Sequence, residues 1–280
     1  MDGTWRPELA LPLALAVLVY ALGWARLTLR LPARLRPASI GRLALALTGL
    51  VVIATALLGL HAAAHERFLA HMVQHLLLMM IGLPLVLLAD PLPSILWSLP
   101  GGARARLRGV LGRRSCGRRV WSALTRMPVA WTLHAAVLWG WHLPVVYDAA
   151  LARDRLHDLE HLTFALAAIV FWWPVIGPAP RAAAPPTAVA RVVYLVLAAF
   201  SSGALGVLLA TSPVPLYAYP GTAGGPSPLE DQAWGGIVMW AVGGAIDMAA
   251  VLVVVGRVIA GERRGRRVVG VPRPRESRLS

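Results

Sequence analysis

The chain contains no lysine; all 27 of its basic residues are arginine. A seven-helix retinal protein is therefore excluded, because its Schiff base needs a lysine amine. All-arginine usage points instead to a GC-rich bacterial genome. Cysteine is confined to Cys116, in an arginine-rich loop, so an internal disulfide and a cysteine-based metal site are also excluded. Charge is scarce: charged residues make up 14% of the chain against 58% hydrophobic, and mean hydropathy is +0.65. Those values lie outside the range of soluble domains. A net charge of +14 would suit a nucleic-acid binder. Apolar runs interrupt the arginines everywhere, however, so no continuous basic surface can form and no nucleic-acid partner is expected.

What the chain does have is long apolar runs. A membrane-spanning helix needs about 17 to 25 mostly apolar residues, and seven stretches qualify: 9–25, 43–60, 72–89, 127–143, 158–177, 192–212 and 233–256. The expected fold is an all-α polytopic bundle of about seven transmembrane helices. Residues 1–260 form one membrane domain, and 261–280 form a basic tail expected to be disordered and to lie against anionic lipid. His134, Trp141, Glu160 and Pro174 interrupt the fourth and fifth stretches, where hairpins that stop short of spanning stay open. The first stretch lacks a small-residue cleavage site and its arginines follow it, so it reads as a retained anchor. Arginine falls unevenly between alternate loops. Arg6, Arg67, Arg153 and Arg155 lie on one side and the other 23 on the opposite side. Positive charge is held back in the cytoplasm, so the amino end is expected outside and the carboxyl end inside a bacterial plasma (inner) membrane.

On this topology seven of the eight histidines gather at the outer face: His61, His65, His71, His75, His142, His157 and His161. Only His134 is deeper, eight residues before His142 and hence about 12 Å further in at 1.5 Å per residue. Polar groups within a bilayer face protein or a cavity and are functional candidates by default. His71 and His75 are four residues apart, as are His157 and His161. That spacing projects both rings from one helix face, so each pair could give two imidazoles to one metal ion. Imidazole suits copper, zinc, iron and nickel, whereas thioether sulfur selects Cu(I). Met72 and Met79 follow the same side of the third stretch, and Met239 lies beneath an acidic Glu230–Asp231 entrance. A soft route for Cu(I) could be built from these, although methionine is also a routine gap filler in helix packing. Asp247, a carboxylate near the middle of the last stretch, is costly unless paired or protonated. Gly235, Gly236, Gly243 and Gly244 would allow close helix contact there.

Four strings occur in order along the chain: His71-Met72-Val73-Gln74-His75 with Pro84; Trp141-His142-Leu143-Pro144 with Tyr147-Asp148; His157-Asp158-Leu159-Glu160-His161 with Phe171-Trp172-Trp173-Pro174; and Pro228-Leu229-Glu230-Asp231-Gln232 with Gly235-Gly236 and Met239-Trp240. Together, over roughly residues 43 to 256, they resemble the multispan CtaG family of cytochrome c oxidase assembly factors. The resemblance implies a plasma-membrane protein, not an enzyme, that is needed to mature a haem-copper oxidase and handles copper on its outer side. Its expected partners are an oxidase subunit and membrane lipid, with a second copy of the chain left open. On that reading His71, His75, His157 and His161 are the copper ligands, with His142 and His61 as entry ligands. Glu160 and Asp231 orient imidazoles from behind, and Met72 and Met239 supply sulfur nearby. Two other readings stay open. One is a membrane oxidoreductase with histidines of two helices on a b-type haem, and the other is a copper transporter whose path includes Asp247.

Overall fold

The computed structural model describes residues 6–32, 36–112, 114–181, 185–221 and 224–269; side chains are described as far as residue 260, apart from residues 37 and 38. Arg34 and Arg113, counted for orientation, lie outside the described residues, as do residues 270–280 of the expected tail. Among the described residues there are helices and no strand. In chain order they are α1 (Pro7–Thr28), α2 (Arg36–Ala54), α3 (His61–Glu66), α4 (Phe68–Leu88), α5 (Pro91–Ser98), α6 (Gly101–Val110), α7 (Cys116–Leu124), α8 (Met127–Trp141), α9 (Pro144–Leu151), α10 (Asp154–Ile176), α11 (Ala188–Thr211) and α12 (Pro228–Val269). The last helix thus continues through Val269, beyond the expected start of the tail.

Six segments are long and apolar enough to cross a bilayer: α1, Ser39–Gly59, α4, α10, α11 and Pro228–Ala260. The chain is a multi-pass membrane protein. The fifth expected stretch is one continuous helix, α10, whereas the fourth is the bent pair α8 and α9, which meet at 71°. The bend follows from Pro144. Proline opens α9, where its missing N–H costs nothing, and holds the preceding Leu143 in extended backbone, so α8 must end before it. Counting the pair as one span gives seven.

Exposed Leu11, Leu15, Leu18 and Leu22 run down α1, and Val193, Leu197, Phe200 and Leu208 down α11. In water each would forfeit about 25 cal/mol per Å2 of apolar surface; against lipid tails they cost nothing. The interior is built on α4 and α10, about half buried (56% and 50%), against 11% for the peripheral α1. Helix α4 packs on α2, α10 and α12, and α12 lies along α11. Gly206 and Gly236 set that last approach: a Cβ on Gly206 would meet the Gly236 carbonyl oxygen at 2.8 Å. Gly235 likewise leaves room for the Phe68 ring, while Gly244 faces open space. Wider, π-type turns interrupt the α pattern at Thr55–Gly59 and Leu77–Gly82, a distortion frequent near functional sites.

Candidate metal centre

The two histidine pairs meet. The i, i+4 spacing turns His71 and His75 to one side of α4 and His157 and His161 to one side of α10. Because α4 packs on α10, the four rings converge at the bundle end that carries Arg6. Ring centroids are 4.4 Å apart for His71–His75, 4.3 Å for His157–His161, 4.9 Å for His71–His157 and 5.3 Å for His75–His161. Glu160, wholly buried, directs one carboxylate oxygen to His71 Nε2 at 3.7 Å and the other to His75 Nε2 at 3.6 Å. It stands on the side a metal ion would occupy, not behind the rings.

Two tyrosines fix the orientation of His71. The Ala64 carbonyl can only accept, so Tyr219 Oη donates to it at 3.2 Å. Tyr147 Oη lies 2.7 Å from Tyr219 Oη. The two hydroxyls hold His71 Nδ1, at 2.7 Å from Tyr147 Oη and 3.0 Å from Tyr219 Oη. Nε2 of the ring is thereby turned into the cluster. Burial pushes Tyr219 and Tyr217 above the ordinary phenol range, which keeps these hydroxyls protonated. His142 is set the same way: its Nδ1–H donates to the Leu138 carbonyl at 2.7 Å and leaves Nε2 bare.

The centre holds more unanswered polar atoms than a folded interior tolerates. Both nitrogens of His75, Nδ1 of His157, Nε2 of His142 and His161, and both carboxylate oxygens of Glu160 are buried without a hydrogen-bond partner. A buried carboxylate without donors costs several kcal/mol. A proton shared with one imidazole would satisfy one oxygen and one nitrogen; a cation would satisfy several of these atoms together. Geometry fits a cation. His71 Nε2 and His157 Nε2 lie 3.3 Å apart, and two ligands each about 2.0–2.1 Å from one tetrahedral ion are separated by about 3.3 Å. Three groups have ligand atoms all within 4.8 Å of one another: His71, His157 and His161; His71, His75 and Glu160; and His61, His65 and His157.

Residues 18–260 match the family described as "Cytochrome c oxidase caa3 assembly factor (Caa3_CtaG)". The chain belongs to the CtaG family. Neither a curated protein nor a solved structure matches it. The function carried by the family is cytochrome c oxidase assembly, so the chain is a multi-pass membrane protein of oxidase assembly.

The other expected residues of this CtaG-family chain fall in separate places. His142 lies 6.5 Å from His75 between ring centroids, and both line a cavity of about 50 Å3, room for about four waters. Met72, Met79, Met80, Met239, His134 and Asp247 line it too. His61 belongs to the group with His65 and His157 and bonds Arg6; burial and that guanidinium hold its imidazole below the ordinary value and hence neutral. Asp231 touches no imidazole: it pairs with Arg67 at 3.3 Å and accepts from the Leu69 N–H. Glu230 and Ser227 exchange hydrogen bonds as a capping box that starts α12. The acidic pair is thus spent on holding helix ends.

Three residues of the centre escaped the sequence reading. His65 carried a usable signal, since it follows His61 by the same four residues as the other pairs. Tyr147 sits in a quoted string, but its role depends on the Pro144 bend that aims α9 at His71. Tyr219 had no signal, because its loop has no periodicity. That loop is tied over the centre by Leu216 N–H to Gln232, Tyr217 Oη to the His142 carbonyl and Ala218 N–H to Asp148.

Proposed function

We propose that this chain assembles a haem-copper oxidase by taking up a copper ion in the buried histidine centre and passing it to an oxidase subunit. The observation that carries the reading is the convergence of His71, His75, His157, His161 and Glu160 around bare nitrogens and oxygens that point at one another. Imidazole ligation with thioether sulfur close by suits Cu(I) among the available metals. The methionine-lined cavity beside His75 supplies that sulfur. Copper here is cargo: the centre binds and releases it and performs no catalysis. The arginine distribution favours a histidine end outside the cytoplasm, and on this proposal the client receives copper on the outer side of a bacterial plasma membrane.

The test is metal analysis of the purified full-length protein after anaerobic loading with Cu(I). Wild type is expected to retain about one ion in the centre, and the double variant His75→Ala with His161→Ala to retain almost none. Equal copper in both would overturn the reading. The rings crowd together with centroids 4.3 to 6.1 Å apart among His71, His75, His157 and His161, which leaves no slot for a porphyrin between them. A Soret band in the pure protein would restore the haem reading. Copper uptake into vesicles that depends on Asp247 would mark a transporter instead.

A further inference from the structure

The three groups of potential ligands are linked. His61, His65 and His157 form the first, His71, His157 and His161 the second, and His71, His75 and Glu160 the third. Each shares one imidazole with the next, His157 between the first and second and His71 between the second and third. The first group is the least buried: His61 and His65 are half-buried, and every member of the other groups is buried. The first group is compact, with ring centroids 4.6 Å apart for His61–His65, 4.7 Å for His65–His157 and 5.6 Å for His61–His157. His65 Nε2 is buried without a partner there.

We infer that His61, His65 and His157 form a separate receiving site for Cu(I), from which the ion steps inward by ligand exchange through the shared imidazoles of His157 and then His71. The inference rests on the copper reading of the inner centre and adds its loading route. At each step the ion stays on the shared imidazole while it exchanges the other ligands, so it is never released into apolar surroundings, and its oxidation state does not change. Because Tyr147 and Tyr219 hold Nδ1 of His71, that ring has one lone pair to offer. The second and third positions therefore hold a single ion between them.

Arg6 occupies the mouth. Two 2.7 Å bonds to Asp158 and one of 2.8 Å to Glu8 anchor its guanidinium, which lies 3.2 and 3.3 Å from the two ring nitrogens of His61. Loading turns His61 from Arg6 to the ion, one monovalent cation replacing another at that ring.

Stopped-flow transfer of Cu(I) from a coloured bicinchoninate complex to the full-length protein in nanodiscs separates loading from retention. His65→Ala and His61→Ala are expected to slow uptake by about tenfold or more while final copper content stays within about twofold of wild type. His65→Met is expected to restore the rate, because a thioether also binds Cu(I); His161→Ala loses final content instead. Wild-type rates in both outer variants would overturn the inference. So would a loss of content in them equal to that of His161→Ala, since the outer residues would then belong to one common site. Failure of His65→Met to recover any rate would also count against ligation by residue 65. No uptake by wild type at all would sink the copper reading itself, a result distinct from these.

Discussion

The two ends of the bundle solve the burial of nitrogen in opposite ways. At the arginine-rich end, guanidinium groups find oxygen. Arg118 donates to the Pro180 and Arg181 carbonyls, Arg26 to Ser98, Arg104 to Leu99, and Arg181 pairs with Asp90 at 3.0 Å. Arg30 and Arg104 each lie 4.3 Å from the Trp97 ring centroid. At the histidine end, Tyr147 and Tyr219 hold the outward nitrogen of His71, but the nitrogens facing the centre meet one another and Glu160. Arg104 Nε and Arg191 Nε are unanswered too, yet each is one nitrogen of a group with other donors, and these stand apart. The lesson is that orphaned atoms matter when they converge: scattered ones are small costs of packing, whereas a knot of unanswered polar atoms around one point is what the copper proposal rests on.

That contrast can be broken most sharply at its hub. His71→Ala removes the imidazole common to both inner groups and is expected to lower Cu(I) affinity by about a hundredfold or more, measured by competition with bicinchoninate. An unchanged affinity would show that the convergence has no binding role. Tyr147→Phe tests the layer behind: the ring stays but the proton relay is cut, and affinity should fall about tenfold to a hundredfold with the helical content intact. Gly236→Val acts on packing alone. The added side chain meets the α11 backbone, so unfolding stability should drop by about 1–3 kcal/mol, read by thermal scanning, while copper per folded chain stays constant. Arg181→Ala is the smallest change. The side chain is 66% exposed, so its ion pair with Asp90 is worth about 0–1 kcal/mol, and copper retention should not change. Copper loss in this last variant would mean that the two ends are coupled.

Much of this was legible in the chain because it depends on local rules. Apolar run length gave the spans, and the 3.6-residue period gave the shared face of His71 with His75 and of His157 with His161. The same spacing links His61 and His65, a pair the sequence reading did not single out. His134 and Trp141 marked the fourth stretch as interrupted, but the bend that follows it at Pro144 depends on what α9 packs against. Glu160 shows where sequence reasoning runs short. Its place between two histidines suggested an orienting role, yet only the packing of α4 on α10 sets its carboxylate oxygens toward the Nε2 atoms of His71 and His75. Asp231 and Glu230 drew attention by charge alone, and backbone N–H groups and Arg67 had the stronger claim on them.

By itself, then, the sequence determined that this is an all-helical membrane protein, which side chains share a helix face, and the family to which it belongs. Each follows from hydropathy, helical periodicity or ordered motifs, all of which are local in the chain. Tertiary structure alone decided that the two histidine pairs face each other, that tyrosines from α9 and an aperiodic loop hold Nδ1 of His71, and that one imidazole links each group to the next. These relations join residues as far apart in sequence as Ala64 and Tyr219. No local pattern can specify them, because they arise only when segments 76 to 155 residues apart are pressed together by packing.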